Sequence, residues 1–202
     1  MKIIYQYKKG SGMKTALLML ELQNDYFPTG RVPLERSLDA CSRAEMVLRT
    51  YRDKRLPIYY AQQVSTHPDA NYFLPCTNGA NFHPSVHPLR DETIIKKHYQ
   101  NSFKDTVLLN HLIKNQINHL VICGMMTHGA IDATVRAAYD LGFRCTVLHD
   151  ACAARQLEYN HSIISASQVH NAFLAALHNA YATVMSTDEH MQKLMHRTIV
   201  AA

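Results

Sequence analysis

One stretch, residues 120–138, limits most strongly how this chain can fold. In it an apolar run passes directly into a helical pattern. The run from Leu120 breaks at Gly124, and side chains then recur at helical spacings of three and four: Ile131, Thr134, Val135, Ala138 and Leu141. This pattern predicts a buried strand leading straight into a helix. Such a turn presents free backbone N–H groups and the positive end of the helix dipole at the strand's carboxyl end. A side chain in the helix's first turn is therefore well placed to act as a nucleophile.

The rest of the chain alternates in the same way. Strands are predicted at residues 15–20, 56–61, 93–96, 119–123, 142–149 and 182–185, and helices at 35–51, 105–114, after Gly124, and at 158–178. This alternation predicts an α/β protein with a parallel sheet and helices on both faces. Residues 62–91 contain three His-Pro pairs and no periodicity, so we expect a long loop that forms a lid or pocket wall.

Composition narrows the class of protein. A chain of 202 residues with 47% hydrophobic and 18% charged residues fits one domain, for which we expect residues 13–202, after an N-terminal extension over 1–12 or a short first strand. Neither a membrane span nor a signal peptide is expected. Five cysteines without metal or disulfide spacing favour a cytoplasmic location. The net charge of +5 is scattered, so we expect no nucleic-acid partner.

The segment from Gly124 to Ala138 resembles the nucleophile turn of the isochorismatase-like cysteine hydrolases, the nicotinamidase/isochorismatase superfamily, where Gly-x-x-Thr-x-x-Cys is usual. Ala130 falls on the cysteine. The resemblance covers residues 14–189 and implies a three-layer α/β/α, Rossmann-like fold with a mostly parallel sheet of about six strands. It also implies a cis peptide between Met125 and Met126, hydrolysis of an amide-type C–N bond in a small molecule, and a homo-oligomer, dimer or tetramer.

Two further motifs carry the resemblance. Glu21, in Glu-Leu-Gln-Asn-Asp-Tyr-Phe, stands where the family has the Asp that activates the cysteine. Lys97, in Lys-His-Tyr-Gln-Asn-Ser-Phe, has the family's spacing, whereas Lys96 is expected to be solvated. The alternative for Glu21 is an acidic residue that only caps a strand end. The alternative for Lys97 is a solvated lysine pair with Lys96. Because both candidates lie at strand ends, we expect their replacement to leave the fold intact.

The resemblance implies a covalent mechanism. A cysteine at position 130 would attack the substrate carbonyl after Glu21 takes its proton, and Lys97 would stabilise the thiolate and the acyl intermediate. Backbone N–H groups of Met126 and Ala130 would form the oxyanion hole. With Ala130 in place, this route should be absent or very weak. We favour an engineered replacement of cysteine by alanine; the alternative is a natural pseudoenzyme that binds a small ligand without turnover.

The remaining predictions concern the pocket. The substrate is expected to contact a mostly aromatic set: Tyr26, Phe27, Phe73, Phe82 and His128. Thirteen histidines show no metal-ligand spacing, and no glycine-rich phosphate loop is present, so neither a metal nor a cofactor is expected. Cys123, inside the strand before Gly124, is expected to be a core residue, and Cys152 is also expected to be structural.

Overall fold

The computed structural model describes residues 12–200, and the side chains up to residue 196. The predicted N-terminal extension therefore lies almost wholly outside the described residues. Within this part of the chain, the strands are β1 (Thr15–Leu20), β2 (Ile58–Gln63), β3 (Thr93–Lys97), β4 (His119–Met125), β5 (Arg144–Ala153), β6 (Leu157–Tyr159), β7 (Ser162–Ile164) and β8 (Thr183–Met185). Six of them form one parallel sheet, as predicted, and their order in it is β3-β2-β1-β4-β5-β8.

Helices cover both faces of this sheet. They are α1 (Ser37–Asp53), α2 (Leu108–Lys114), α3 (Asp132–Asp140), α4 (Ala166–Leu177) and α5 (Thr187–Val200). One face packs its buried apolar side chains against α1, with Met191 and Leu194 of α5 at the edge. The other face packs against α2, α3 and α4. The three-layer α/β/α prediction is confirmed, although the sequence pattern did not reveal α5.

The predicted helix over residues 158–178 is wrong in its first part. Residues 157–164 form a small antiparallel hairpin, β6–β7, and the helix begins only at Ala166. Asn160 and His161 both have positive φ, 48° and 61°, which closes a tight hairpin turn. Ser165 then caps α4, with its side chain and that of Gln168 forming a reciprocal capping box. This Ser-x-x-Gln spacing is itself a sequence signal for the start of a helix.

Parallel pairing gathers the carboxyl ends of the strands at one edge. Leu20 pairs with Gly124, and Ala61 with both Leu20 and Ile95, so the residues that follow β1, β3 and β4 meet there. Open α/β sheets bind ligands at this edge. None of the helices in the described part of the chain has the length and apolar character that a membrane crossing requires.

Candidate active site

A buried ion pair lies at this edge of the sheet. The Nζ atom of Lys97, at the end of β3, donates to the carboxylate of Glu21, which follows β1. Both side chains are completely buried. The hydroxyl of Tyr26 donates to the second carboxylate oxygen of Glu21, over 3.2 Å. The structure therefore brings together the carboxylate and the lysine that the sequence motifs singled out.

The ammonium group of Lys97 is held by several acceptors at once. Besides Glu21, it donates to Oε1 of Gln63 at 3.1 Å and to the carbonyl oxygens of Tyr99 at 2.9 Å and Gln100 at 3.3 Å. Lys96 is exposed, as the spacing argument predicted. Gln63 was missed in the sequence because nothing in its local pattern distinguishes it from other residues at the end of a strand.

Glu21 has an unusual backbone and an unusual acidity. Its φ of 49° lies in the left-handed region, which is costly for a residue with a long side chain. Burial raises the pKa of its carboxyl group, and the Lys97 charge and hydrogen bond oppose that rise. A raised pKa brings a carboxylate closer to the range in which a general base works at neutral pH.

The predicted nucleophile turn has the expected geometry. Gly124 has φ 125°, and a Cβ atom there would lie 1.9 Å from the carbonyl oxygen of Leu20, so only glycine fits beside β1. The peptide between Met125 and Met126 is cis, as the resemblance implied. Thr127–Ile131 then form one π-helical turn before α3. Ala130 lies in that turn and is fully buried.

The turn and the ion pair are joined through Gln100. Its carbonyl oxygen accepts from Nζ of Lys97 and from Oγ1 of Thr134, both at 3.3 Å. Its side-chain oxygen lies 2.9 Å from the place a Cβ atom would take on Gly129, the neighbour of Ala130. Lys97 and Thr134, in the first turn of α3, therefore share Gln100 as a hydrogen-bond acceptor. The oxyanion role of the Met126 and Ala130 N–H groups stays a prediction.

A small hydrogen-bond network holds the turn that begins at Thr127 and connects it to α4. Oγ1 of Thr127 donates to the carbonyl of Ala153 at 3.1 Å and lies 2.8 Å from Nδ1 of His170. Since the single hydroxyl proton is used on Ala153, His170 acts as the donor through Nδ1. Burial, with smaller contributions from His149 and Arg36, lowers the pKa of His170. Sequence reasoning missed His170, which lies over forty residues away.

Gln23 and Asp25, part of the Glu21 motif, hold the long loop over residues 64–82. The side chain of Gln23 donates to the carbonyls of Gln63 and Ala80, at 2.8 and 2.7 Å. Asp25 accepts the N–H of Phe73 at 2.6 Å. Gly79 packs so closely that a Cβ atom there would lie 2.2 Å from the Asp25 carboxylate. These contacts fix the loop next to the residues that follow β1, and its role as a lid or pocket wall stays a prediction.

The predicted aromatic residues fall into two groups. Tyr26 and Phe73 are in contact, with ring centroids 4.7 Å apart, and the half-buried Tyr72 lies 5.0 Å from Phe73. Phe27 lies against His83, 4.2 Å away, and Phe82 meets Tyr60 edge-on at 5.2 Å, both within the α1-side core. Tyr26 lies beside Glu21 and Phe73 packs on Tyr26, and the substrate contacts of all four residues stay predictions.

The remaining residues discussed from the sequence are His128 and two cysteines. His128 is half-buried against Phe173, and its Nδ1 atom is buried without a hydrogen-bond partner in the described structure. Cys123 and Cys152 are buried; burial raises the pKa of Cys123 well above its usual value and that of Cys152 to about 12, so neither is a ready thiolate. Across the described residues, no group of three His, Cys, Asp or Glu side chains could hold a metal ion.

Comparison with known proteins agrees with this geometry. Residues 15–189 match the Isochorismatase domain family. The chain is 43% identical to the uncharacterized isochorismatase family protein YddQ of Bacillus subtilis, over 87% of this chain and 98% of the relative. The crystal structure of an isochorismatase hydrolase from Oleispira antarctica superposes with a TM-score of 0.83 at 43% identity, covering 89% of this chain and 96% of that one.

A more distant relative has a named activity. The maleamate amidohydrolase of Pseudomonas putida is 26% identical over 96% of this chain and 92% of its own length. The family match spans far more than half of the described fold and includes the ion pair, the cis peptide and the turn that carries Ala130. The chain belongs to the isochorismatase family of hydrolases.

Proposed function

We propose that this fold carries the site of a cysteine-type hydrolase for the amide-type C–N bond of a small molecule, without the nucleophile because residue 130 is alanine. The observation that carries this proposal is the buried Glu21–Lys97 pair. Lys97 donates to the carbonyl of Gln100, whose side chain lies beside Gly129 in the turn that holds Ala130. Burying a charge pair costs free energy, so a buried pair at the carboxyl ends of the strands favours a chemical role.

Each side chain has a role in the proposed reaction. A thiol at position 130 would lie in the first turn of a helix, where N–H groups stabilise a thiolate. Glu21, with its raised pKa, would take the thiol proton, and Lys97 would balance the negative charge that passes to sulfur and then to the acyl oxygen. Tyr26 and Phe73 would hold a planar or apolar acyl group against the site.

With Ala130 present, residue 130 has no sulfur atom, so the acyl intermediate cannot form on the protein. The protein as it stands would therefore bind a small amide and turn it over very weakly or not at all. The second candidate, a natural ligand-binding protein, is favoured by the same alanine, since Ala130 has no group that can react with a bound amide. An engineered replacement and a natural loss give different results when the thiol is restored.

The test is to make Ala130→Cys with Cys76→Ser, because Cys76 is the exposed thiol among the described residues. The restored protein is assayed with a panel of small amides and ureides, and Ala130→Ser serves as the matched control. Hydrolysis by the cysteine variant alone supports the proposed function and the replaced-cysteine interpretation. Ligand binding without hydrolysis by any variant supports the natural binder instead and contradicts the hydrolase.

A thiol assay complements the turnover assay. Iodoacetamide labelling of the thiol introduced by Ala130→Cys is followed as a function of pH, again with Cys76→Ser. A reactive thiolate below the ordinary pKa of about 8.5 is expected from the helix terminus and Lys97. Labelling no faster at neutral pH than that of an ordinary exposed thiol would remove the electrostatic argument. Cytoplasmic location and a homo-oligomeric state belong to the same proposal; the cysteine pattern supports the first, and the family resemblance supports the second.

A further inference from the structure

Two side chains of α4 contact the turn that begins at Thr127. Nδ1 of His170 lies 2.8 Å from Oγ1 of Thr127. The ring of Phe173 meets that of His128 edge-on, with the centroids 6.0 Å apart. His170 and Phe173 are three residues apart, so they lie on the same face of the helix. The helix therefore supports the first two residues of the turn from one side.

The helix that supplies His170 is itself firmly placed. Ser165 accepts the N–H of Gln168 at 3.3 Å, and the Gln168 side chain accepts the N–H of Ser165 at 3.0 Å, which closes the first turn. Val169, the neighbour of His170, and Leu174 are buried in the protein core. Side chains carried by helices are held more precisely than those carried by loops. His170 therefore offers the turn a fixed point of attachment.

The hydroxyl group of Thr127 is shared between two elements. Its proton goes to the carbonyl of Ala153 at 3.1 Å, so an N–H on Nδ1 of His170 is the donor in the 2.8 Å contact. Ala153 is the last residue of β5 and pairs with Met125. Thr127 is fully buried, so water does not readily replace a lost partner. The hydroxyl ties the turn to β5 and to α4 at once.

The peptide that joins Met126 and Thr127 determines where residue 130 lies. Its carbonyl, that of Met126, accepts the N–H groups of Gly129 at 3.0 Å and of Ile131 at 3.2 Å. These two residues stand on either side of Ala130. A rotation of this peptide would disturb both hydrogen bonds and move residue 130 with them. The place of residue 130 therefore depends on the contacts that hold Thr127.

We propose that His170 is a positioning residue of the candidate site, and that its hydrogen bond to Thr127 fixes the place of residue 130. The inference rests on the proposed function, because a nucleophile at residue 130 must reach both its base and the bond that it attacks. A misplacement of about 1 Å can cost on the order of a hundredfold in rate. His170 touches no reacting group and acts only through Thr127.

Two kinds of variant separate the hydrogen bond from the packing. The amide nitrogen of asparagine is as many bonds from the backbone as Nδ1 of histidine, so His170→Asn keeps a donor at that place. His170→Leu fills space but cannot donate. On the other side of the contact, Thr127→Ser keeps the hydroxyl group, whereas Thr127→Val keeps the shape and removes it.

The first measurement needs no catalysis. Amide hydrogen exchange at Gly129 and Ile131 is followed by NMR in the chain with Ala130, and Leu18, buried in the middle of β1, reports global unfolding. We expect His170→Leu to speed exchange at the two turn amides about fivefold or more, the usual effect of losing one hydrogen bond, without a like change at Leu18. His170→Asn should stay within about twofold of the unaltered chain.

Three results of this measurement would overturn the proposal. They are unchanged exchange at the turn amides in His170→Leu, an equal acceleration in the leucine and asparagine variants, and an acceleration of the same size at Leu18. The last would make His170 a residue that stabilises the whole fold and nothing more. Thr127→Val should speed the same two amides, and Thr127→Ser should change them little.

The second measurement asks whether this position matters for the reaction. In the Ala130→Cys, Cys76→Ser background, His170→Leu should lower kcat for the best small amide about tenfold or more and leave KM nearly unchanged, because the nucleophile moves while the substrate contacts remain. His170→Asn should restore most of the loss. Adding His170→Leu to Thr127→Val should cost less than the sum of the two single effects, since both remove the same hydrogen bond.

The two measurements separate this inference from the proposed function. Exchange at the turn that depends on His170, without hydrolysis by any variant that carries the thiol, would reject the hydrolase and leave the positioned turn standing. Hydrolysis with the same kcat in the presence and absence of His170→Leu would leave the hydrolase standing and reject the positioning role. A loss of kcat that His170→Asn does not restore would reject that role as well.

Discussion

The side chain of Lys97 passes the end of β2 and reaches the carboxylate of Glu21, so the two residues join the ends of β3 and β1 across the strand between them. Gln63, the last residue of β2, accepts from the same ammonium group at 3.1 Å. Both charges are fully buried. Complete burial argues against the expectation that either residue can be replaced with no effect on folding.

Lys97→Met is expected to destabilise the protein. Removing one partner of a buried ion pair leaves the other charge unpaired, which typically costs about 3–5 kcal/mol. Urea unfolding, compared with that of the exposed Lys96→Met, measures the loss; the control should stay within about 0.5 kcal/mol. The double variant Glu21→Gln, Lys97→Met should recover part of the stability. Equal stability of the two single lysine variants would show that the pair is not buried as described.

Asp25→Asn is expected to loosen the loop over residues 64–82. Its carboxylate accepts from the N–H groups of Phe73, at 2.6 Å, and Arg31, at 3.3 Å, and hydrogen bonds to a charged acceptor contribute about 1.5–3 kcal/mol. Hydrogen exchange across the loop should become faster, while exchange in β4 is unchanged. Asp69→Asn, at an exposed site in the same loop, is the matched control. Loop exchange equal in both variants would contradict the anchoring role.

Stability is expected to fall as the pH drops below about 6.5. Burial lowers the pKa values of His83, His128 and His170 from 6.5, so the folded protein favours their neutral forms. Above pH 6.5 their contribution is fully present. As the pH falls, the unfolded chain binds protons first, and the contribution is lost until the pH passes the lowered folded values.

The readout is the slope of Tm against pH between 7.5 and 5. His83→Gln should reduce that slope, because one histidine with a lowered pKa no longer titrates. His67→Gln, at an exposed position in the loop, is the matched control for replacing a histidine by glutamine. An unaltered slope in His83→Gln would show that this histidine does not contribute to the acid sensitivity. The slope, rather than Tm itself, is compared because either substitution can change the overall stability.

Local patterns predicted the parts of the fold that depend on nearby residues. The periodicity after Gly124 located the turn, whereas Lys97, which pairs with Glu21, was singled out by the family resemblance. The hairpin over 157–164 was missed because a polar, loosely periodic stretch imitates a helix when its turn residues are ignored. Contacts between distant segments, such as His170 with Thr127, leave no local signal at all.

Glu21→Asp, made in the Ala130→Cys background, is expected to retain turnover. The resembled family has Asp at this place, and Asp tolerates the left-handed φ of 49° better than Glu does. The shorter side chain should keep its contact with Lys97 and lose the hydrogen bond from Tyr26, now 3.2 Å long. Initial rates with the best amide found for Ala130→Cys measure the effect.

Glu21→Gln in the same background is the control that separates charge from length, because it keeps the reach of Glu21 and removes the base. It should abolish most turnover, since a neutral amide cannot take the thiol proton. A displacement of about 1 Å can cost on the order of a hundredfold in rate, so the Asp variant tests position sharply. If Glu21→Asp is as inactive as Glu21→Gln while Glu21 with the restored thiol turns over, the site is built around the longer carboxylate. Ala130 is then best explained as a replaced cysteine in a working branch of the family. A faster Asp variant would instead mark Glu21 as a second altered position and favour the natural binder.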